Sequence, residues 1–347
     1  MKVTVILPAH NEERTINDTI NSLRQQSYDG QIEIIAVLDN CTDSTEDICK
    51  SHGDNVMIFK TVNNRHKKAG ALNQVFTESI KTMGNYILTM DADTIVHKEA
   101  IENGVKFLLS NGDHGAVCSK AGILDDKDRN LLWHLQNVEY AAFDSERIET
   151  NKNIKVAHGM FTLYRKSSII DVINQRGTLF DLTSITEDYE LTLMLKKLGY
   201  KISSNVNMKA WTEVPLKLKE LWIQRVRWLT GGVDALFKHG WAKYTKRDIL
   251  SHLLFIFIFI IQLYLLIASI IQKGNIANIK IIIFILLLSF IDAVLRLKYL
   301  SHKYLKTYLM VFLIAPFIIY AWFNIATLIV SYVTYIKLRI TKTNMNW

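Results

Sequence analysis

The sequence predicts an α/β fold, a doubly wound and mostly parallel sheet of Rossmann-like type, followed by C-terminal transmembrane helices. Three observations carry this expectation. Four short apolar segments, VTVILPA, IEIIAVLD, NVMIFK and YILTMD, have the length and the β-branched content of buried parallel strands. Ile16, Ile20 and Leu23 fall on one helix face between the first two segments, the strand–helix alternation that builds a doubly wound sheet. Beyond about residue 248 the chain turns apolar, and runs 249–271, 279–297 and 308–336 are each long enough to cross a hydrocarbon core about 30 Å thick.

The 347 residues therefore divide into a globular domain (1–215), an amphipathic interfacial segment (216–247), a membrane region (248–337) and a short basic tail (338–347). The third run contains Pro316, so it is either one tilted span or a short interfacial or re-entrant piece followed by a span. The formal net charge is +8, and Lys217, Lys219, Arg225, Arg227, Lys238, Lys243, Lys246 and Arg247 crowd just ahead of the first run. Positive charge in that place suits a cytoplasmic leaflet rather than nucleic acid. Lys298, Lys303 and Lys306 mark an inside loop, and Lys337, Arg339 and Lys342 mark an inside tail that three simple crossings would put outside. The parity of the crossings stays open. Asp292 and Arg296, one turn apart, suit either a local ion pair or a polar contact to a passing substrate. No secretory signal precedes the first strand, and Cys41, Cys49 and Cys118 show neither metal-ligand spacing nor an even-numbered framework. An integral protein of the plasma membrane, with its N-terminal domain in the reducing cytosol, is expected.

Doubly wound sheets bind ligands at the carboxyl ends of their strands. The first strand ends in Pro8-Ala9-His10-Asn11-Glu12, and the second in Asp39-Asn40-Cys41-Thr42-Asp43-Ser44-Thr45. A carboxylate there can accept from the imide of a uracil, while helix-entry amides can meet phosphate. Asn11, Asp39 and Asp43 would equally serve as helix caps. Arg65 to Asn73 sets a basic run before a small-residue helix entry, which reads as a solvated turn or as a loop closing on a diphosphate. The fourth strand ends in Met90-Asp91-Ala92-Asp93. Carboxylates separated by one residue on an extended segment share a side and can hold Mg²⁺ or Mn²⁺ against the phosphates of a nucleotide-sugar. Thr186-Glu187-Asp188 opens a helix carrying Leu191, Leu195 and Leu198. Ser184 with Glu187 reads as a capping box. Asp188, kept ionised by the helix start, is favoured as general base, since no histidine constellation offers itself. Gln224-Arg225-Val226-Arg227-Trp228 joins an indole to a guanidinium shortly before the first apolar run, where the ring can stack on a sugar while the cation faces phosphate.

Taken in order, these motifs resemble those of the membrane-bound inverting family 2 glycosyltransferases, which include the synthases of hyaluronan, chitin, cellulose and poly-N-acetylglucosamine. The resemblance covers residues 1 to about 240, and KAGALN and QRVRW are its most specific pieces. It implies a GT-A type fold, a UDP-sugar donor, a glycan or lipid-linked acceptor, and Mg²⁺ or Mn²⁺ as cofactor. It assigns donor contacts to Pro8, Asn11, Glu12, Asp39, Lys68, Asp91, Gln224 and Arg227, with Asp39 on uracil. It further assigns metal binding to Asp91 and Asp93, acceptor contacts to Gly159, Glu187 and Trp228, and the role of base to Asp188. The segment from His158 to Lys166 looks like the family's acceptor-side strand, where Gly159 lets a sugar approach the backbone. The same segment also reads as an ordinary buried strand with a basic end.

The leading expectation is elongation of a β-linked polysaccharide. Many polymer synthases of the group carry spans ahead of the catalytic domain, whereas this chain opens on its first strand. A single transfer onto a ceramide- or polyprenyl-type lipid therefore competes, although QxxRW is unexpected in the polyprenyl-phosphate kind. From a different class, a catalytically silent scaffold or synthase subunit is opposed by intact DAD, TED and QRVRW. The partners implied are the bilayer, the donor and the acceptor, with an oligomer or accessory subunit allowed and no nucleic acid.

Overall fold

The computed structural model describes residues 1–149, 154–271, 276–313 and 315–341. It divides into two compact units, one of Met1–Leu124 with Glu146–Val214 and the other of Asp125–Ser145 with Pro215–Trp347.

The first unit opens with the expected alternation. Strand β1 (Lys2–Ala9) leads to helix α1 (Ile16–Arg24), β2 (Gln31–Leu38) to α2 (Thr45–Ser51), and β3 (Val56–Lys60) to α3 (Lys67–Ser79) before β4 (Tyr86–Met90). The four strands pair in parallel in the order β3-β2-β1-β4. Val3, Val5, Ile6 and Leu7 of β1 are all fully buried. Residues of both pleat faces are thus covered, which is why these strands read as continuous apolar runs. Ile16, Ile20 and Leu23 of α1 are buried on one face, as their spacing predicts.

The remainder of the sheet is mixed. After β5 (Thr94–Val96), α4 (Ala100–Ser110), β6 (His114–Ile123) and α5 (Leu131–Glu149), the chain adds β7 (Phe161–Arg165), α6 (Lys166–Arg176), α7 (Glu187–Lys197) and β8 (Lys201–Thr212). The eight strands run β3-β2-β1-β4-β7-β6-β8-β5. Strand β7 is antiparallel to both β4 and β6, and β5 is antiparallel to β8. Direction was not legible in FTLYR, because a strand buried on both faces has the same apolar run either way round. Ile6, Val37, Leu72, Phe76, Ile87, Leu191 and Leu195 share one core, each such side chain contributing about 1.5–3 kcal/mol by burial. That core clamps α3 and α7 to the sheet. The register pairs Ala9 with Leu38 and Ile6 with Thr89, so the carboxyl ends of β1, β2 and β4 lie side by side.

The second unit is helical: α8 (Leu218–His239), α9 (Lys246–Ile271), α10 (Ile276–Arg296), α11 (Leu305–Phe312) and α12 (Ala315–Thr341). Among the described residues two helices are long and apolar enough to cross a membrane, Lys246–Leu265 and Pro316–Thr341. The second apolar run of the sequence lies on α10. The third run divides into α11 and α12, a short piece followed by a span. Pro316 sits in the first turn of α12, where its missing N–H costs no helical bond. Asp292 and Arg296 form an ion pair of 2.8 Å along α10. Residues 125–145 were expected within the first domain but pack in the second unit. Leu135 of α5 shares a cluster with Leu221 and Tyr320, and Val138 and Ala141 share another with Ala293 and Val311. Cys41, Cys49 and Cys118 take part in no disulfide, and residues 342–347 of the tail lie outside the described residues.

Candidate active site

Helix α3 begins where the basic run meets small residues. A Cβ on Gly70 would stand 2.1 Å from Oδ1 of Asn64, so only glycine lets that loop lie against the helix. Asn64 in turn donates to Oδ1 of Asp39 at 2.8 Å. The hydroxyl of Thr61 and the amide of Asn40 donate to the same oxygen at 2.8 and 3.0 Å, which fixes the carboxylate of the mostly buried Asp39. Asn11 and Asp43 bind the two neighbouring loops together: Thr42 N–H donates to Asn11 Oδ1 at 2.8 Å and Glu13 N–H to Asp43 Oδ2 at 3.1 Å, while Asp43 Oδ1 also accepts from Thr45 N–H at the start of α2 at 3.0 Å. Asn11 and Asn40 adopt φ of 58° and 50°, the left-handed region that asparagine tolerates better than most residues. Pro8 occupies β1 opposite Val37.

Lys68, in the first turn of α3, is the centre of the site. Its ammonium pairs with Asp91 and, at 3.2 Å, with Glu187. Asp188 is held by two amides, accepting from Gly159 N–H at 3.1 Å and from its neighbour Tyr189 N–H at 2.7 Å. A Cβ on Gly159 would lie 2.8 Å from Lys68 Nζ, 3.7 Å from Asp91 Oδ1 and 3.9 Å from Asp188 Oδ2. Lys68, Asp91, Gly159, Glu187 and Asp188 therefore form one cluster. Asp93 accepts from the hydroxyls of Thr212 and Thr94 at 3.1 and 3.3 Å.

Three expectations about local geometry are corrected. Asp91-Ala92-Asp93 is a turn between β4 and β5 rather than an extended segment, closed by Thr94 N–H donating to Asp91 O at 3.3 Å. Chain reversal, not strand alternation, brings its two carboxylates within electrostatic reach. The capping box is not formed either. Thr186 is the N-cap of α7 without a side-chain cap bond, Ser184 donates to Thr186 O at 3.2 Å, and Glu187 is drawn to Lys68. Nor does the helix start prevail at Asp188. Burial, followed by repulsion from Glu187, pushes its carboxyl up to about 6 against the opposing pull of Lys68 and the two amides.

Other groups follow the same balance. Burial alone would lower the Lys68 pKa, yet Asp91, Glu187 and Asp188 together hold it above the usual lysine value. Burial, then Asp91 and Glu12, push the Asp93 carboxyl up to about 7. Glu12 is itself raised, chiefly by burial. His158 is pushed down to about 3, first by burial and then by Arg147. It stays neutral near pH 7, with Nε2 facing Ser119 O at 3.0 Å.

The acidic side chains fit a hard divalent cation. Asp91, Asp93 and Glu12 concentrate negative charge in a half-buried place, and the raised Asp93 is its signature. Among the described residues no group of three or more His, Cys, Asp or Glu is placed to hold a metal ion. An ion such as Mg²⁺ takes one or two carboxylates and completes its shell with water and phosphate oxygens.

Gln224, Arg227 and Trp228 belong to α8 of the second unit, where Arg227 is exposed and Gln224 and Trp228 are half-buried. The sequence reading counted their neighbour Arg225 among the charges facing a leaflet, but it is only 3% exposed and pairs with Glu139 at 2.5 Å. It also missed Thr212 beside Asp93. A second arginine inside QRVRW was the visible sign, but its burial depends on α5.

Comparison with known proteins bears on the family and the fold. Residues 4–173 match the family Glycosyl transferase family 2. The chain is 32% identical over 278 residues to the poly-β-1,6-N-acetyl-D-glucosamine synthase of Staphylococcus aureus (strain COL), covering 76% of this chain and 64% of the relative. It is 29% identical over 259 residues to the synthase of the same name from Staphylococcus epidermidis, covering 73% and 60%. The chain thus spans somewhat less than two thirds of the length of these relatives. A mannosyltransferase from Pyrobaculum calidifontis, solved with GDP-Man and Mn²⁺, superposes with a TM-score of 0.59 at 18% identity over 96% of this chain and 86% of that one, a likeness of fold. Residues 4–173 are accordingly a Glycosyl transferase family 2 domain on a mixed GT-A-like sheet, in a chain homologous to poly-β-1,6-N-acetyl-D-glucosamine synthases.

Proposed function

We propose that the chain is a membrane-bound inverting glycosyltransferase that moves a sugar from a UDP-sugar to a glycan acceptor and elongates a β-linked polysaccharide. The supporting observation is the cluster in which Lys68 balances Asp91 and Glu187 while two backbone amides hold Asp188. A buried carboxyl raised to about 6 is suited to take a proton near neutral pH.

In this mechanism Asp188 removes the proton of an acceptor hydroxyl as that oxygen attacks the anomeric carbon. The bond from that carbon to the diphosphate breaks, its electron pair leaves with UDP, and the configuration inverts. Lys68, with Gln224 and Arg227, stabilises the charge that gathers on the departing diphosphate. Asp39, with Oδ1 held by three donors, offers Oδ2 to the uracil imide. Pro8, Asn11 and Glu12 border the nucleotide, Gly159 and Glu187 the acceptor, and Trp228 is the surface on which the acceptor sugar stacks. Mg²⁺ or Mn²⁺ held by Asp91 and Asp93 supplies, when bound, further neutralisation of the diphosphate.

The names of the relatives support N-acetylglucosamine as the transferred unit. The two span-length helices support a membrane location, which we take to be the plasma membrane with the sheet unit in the cytosol. Purified full-length protein would be given labelled UDP-N-acetylglucosamine and other UDP-sugars with Mn²⁺ or Mg²⁺, with and without chelator, and the products sized. Products longer than one added unit, lost in Asp188→Asn and with chelator, are expected. Turnover of no donor overturns the proposal. A single organic-soluble product replaces elongation by transfer to a lipid.

A further inference from the structure

The QRVRW helix carries a buried arginine that the mechanism does not use. Nε and Nη2 of Arg225 reach the two carboxylate oxygens of Glu139 on α5, at 3.2 and 2.5 Å. Nη1 donates to Oε1 of Gln224 at 2.5 Å, and Nη2 also faces Oε1 of Gln136 at 3.5 Å. The guanidinium lies over the indole of Trp228, with Cζ 4.5 Å from the ring centroid. Glu139 is held in turn by the hydroxyl of Tyr320 on α12, which donates to Oε2 at 2.7 Å. The side chains of Arg225 and Glu139 keep only 4% and 11% of their surface.

Such a pair is weak evidence for stability, because removing both charges from water costs about as much as their attraction returns. Its distinctive effect is geometric. A guanidinium has donors and no acceptor. It can therefore meet only the carbonyl oxygen of Gln224, and the Nε2 amide, a pure donor, is left for an anion. The same guanidinium covers one face of Trp228, so a sugar ring has the opposite face for stacking.

We propose that Arg225 is a positioning residue, supported by Glu139 and Tyr320, which orients the Gln224 amide toward an anionic ligand and assigns the acceptor sugar to the uncovered face of Trp228. This rests on the glycosyltransferase reading above, because it names what the two oriented side chains receive.

The test uses full-length protein in nanodiscs, with Glu139→Gln, Arg225→Lys, Tyr320→Phe, Trp228→Phe and the double variant Glu139→Gln/Trp228→Phe. Glu139→Gln raises the acceptor KM about tenfold, the scale of loss expected from a misplacement under 1 Å. Arg225→Lys keeps the charge, loses the planar fork, and raises both the donor and the acceptor KM. In the Trp228→Phe background Glu139→Gln adds little further loss, as expected of residues acting through one another. Tryptophan emission shifts in Glu139→Gln but not when Trp228 is already Phe. Additive losses in the cycle, or an acceptor KM and emission unchanged by Glu139→Gln, overturn the proposal. If a charge variant fails to fold, Tyr320→Phe removes one hydroxyl and no charge, and unchanged emission and acceptor KM in that variant overturn it equally. Wild type that turns over no UDP-sugar defeats the functional reading alone, because the emission cycle needs no turnover and still decides whether Glu139 positions Trp228.

Discussion

Replacing Gly159 by alanine isolates the geometry of the site with one methyl group. Gly159 does not sit at positive φ, so the substitution brings no backbone strain. The new Cβ would stand 2.8 Å from Lys68 Nζ, against roughly 3.5 Å for comfortable contact. The ammonium must therefore retreat by about 0.7 Å. It is the free end of a flexible side chain, so the fold loses under about 1 kcal/mol. Catalysis is less forgiving, because the retreat pulls Lys68 from Asp91 and Glu187 and from the diphosphate it is assigned. A displacement of this size lowers kcat/KM by about 10- to 100-fold, or ~1.4–2.7 kcal/mol. The assay compares initial rates of labelled UDP-N-acetylglucosamine turnover, with melting temperatures measured alongside. A Gly159→Ala protein with wild-type kcat/KM would refute the reasoning, and so would one that fails to fold.

The remaining predictions concern charge. The acid limb of kcat/KM for free enzyme lies near pH 6, where Asp188 must lose its proton to act as base; a profile flat from pH 5 to 8 would exclude that role. Glu187→Gln removes a neighbour that raises Asp188 and moves this limb to lower pH, while an unmoved limb would separate the two residues. In metal-free protein the stability sign is the reverse of that for a salt-bridged acid. Asp93 and Asp188 have folded values above the unfolded 3.8, so the folded state holds more protons and stability falls as pH rises from about 4 to about 7. Thermal melts across that window in Asp93→Asn should show a shallower fall than wild type. Mn²⁺ added at pH 7 raises the melting temperature of wild type and not of an Asp91→Asn/Asp93→Asn double variant, and an equal rise in both would place the ion elsewhere.

Much of this was legible along the chain. The four parallel strands were visible because complete burial demands uninterrupted apolar runs. The helix face of Ile16, Ile20 and Leu23 was visible because 3.6-residue periodicity is written in residue order. The division of the third apolar run at Pro316 was visible as one of two alternatives, since proline suits a first turn and disrupts an interior one. Less legible was anything set by a distant partner. Ser184 and Glu187 had the spacing of a capping box, yet Lys68 offers Glu187 an opposite charge and Thr186 takes the cap position. Asp188 had the helix start expected to keep it ionised, but burial and Glu187 outweigh that field.

By itself the sequence determined which side chains are proposed to do chemistry and the strand ends that carry several of them: Asp39, Lys68, Asp91, Asp93, Asp188 and the QRVRW set. Those follow from residue type and local pattern. Tertiary structure decided what each group is paired with: Lys68 between two carboxylates, Gly159 against Lys68, and Glu139 behind Arg225. Pairing sets protonation and orientation, because charge and desolvation act through space between residues that are 23 to 119 positions apart in the chain.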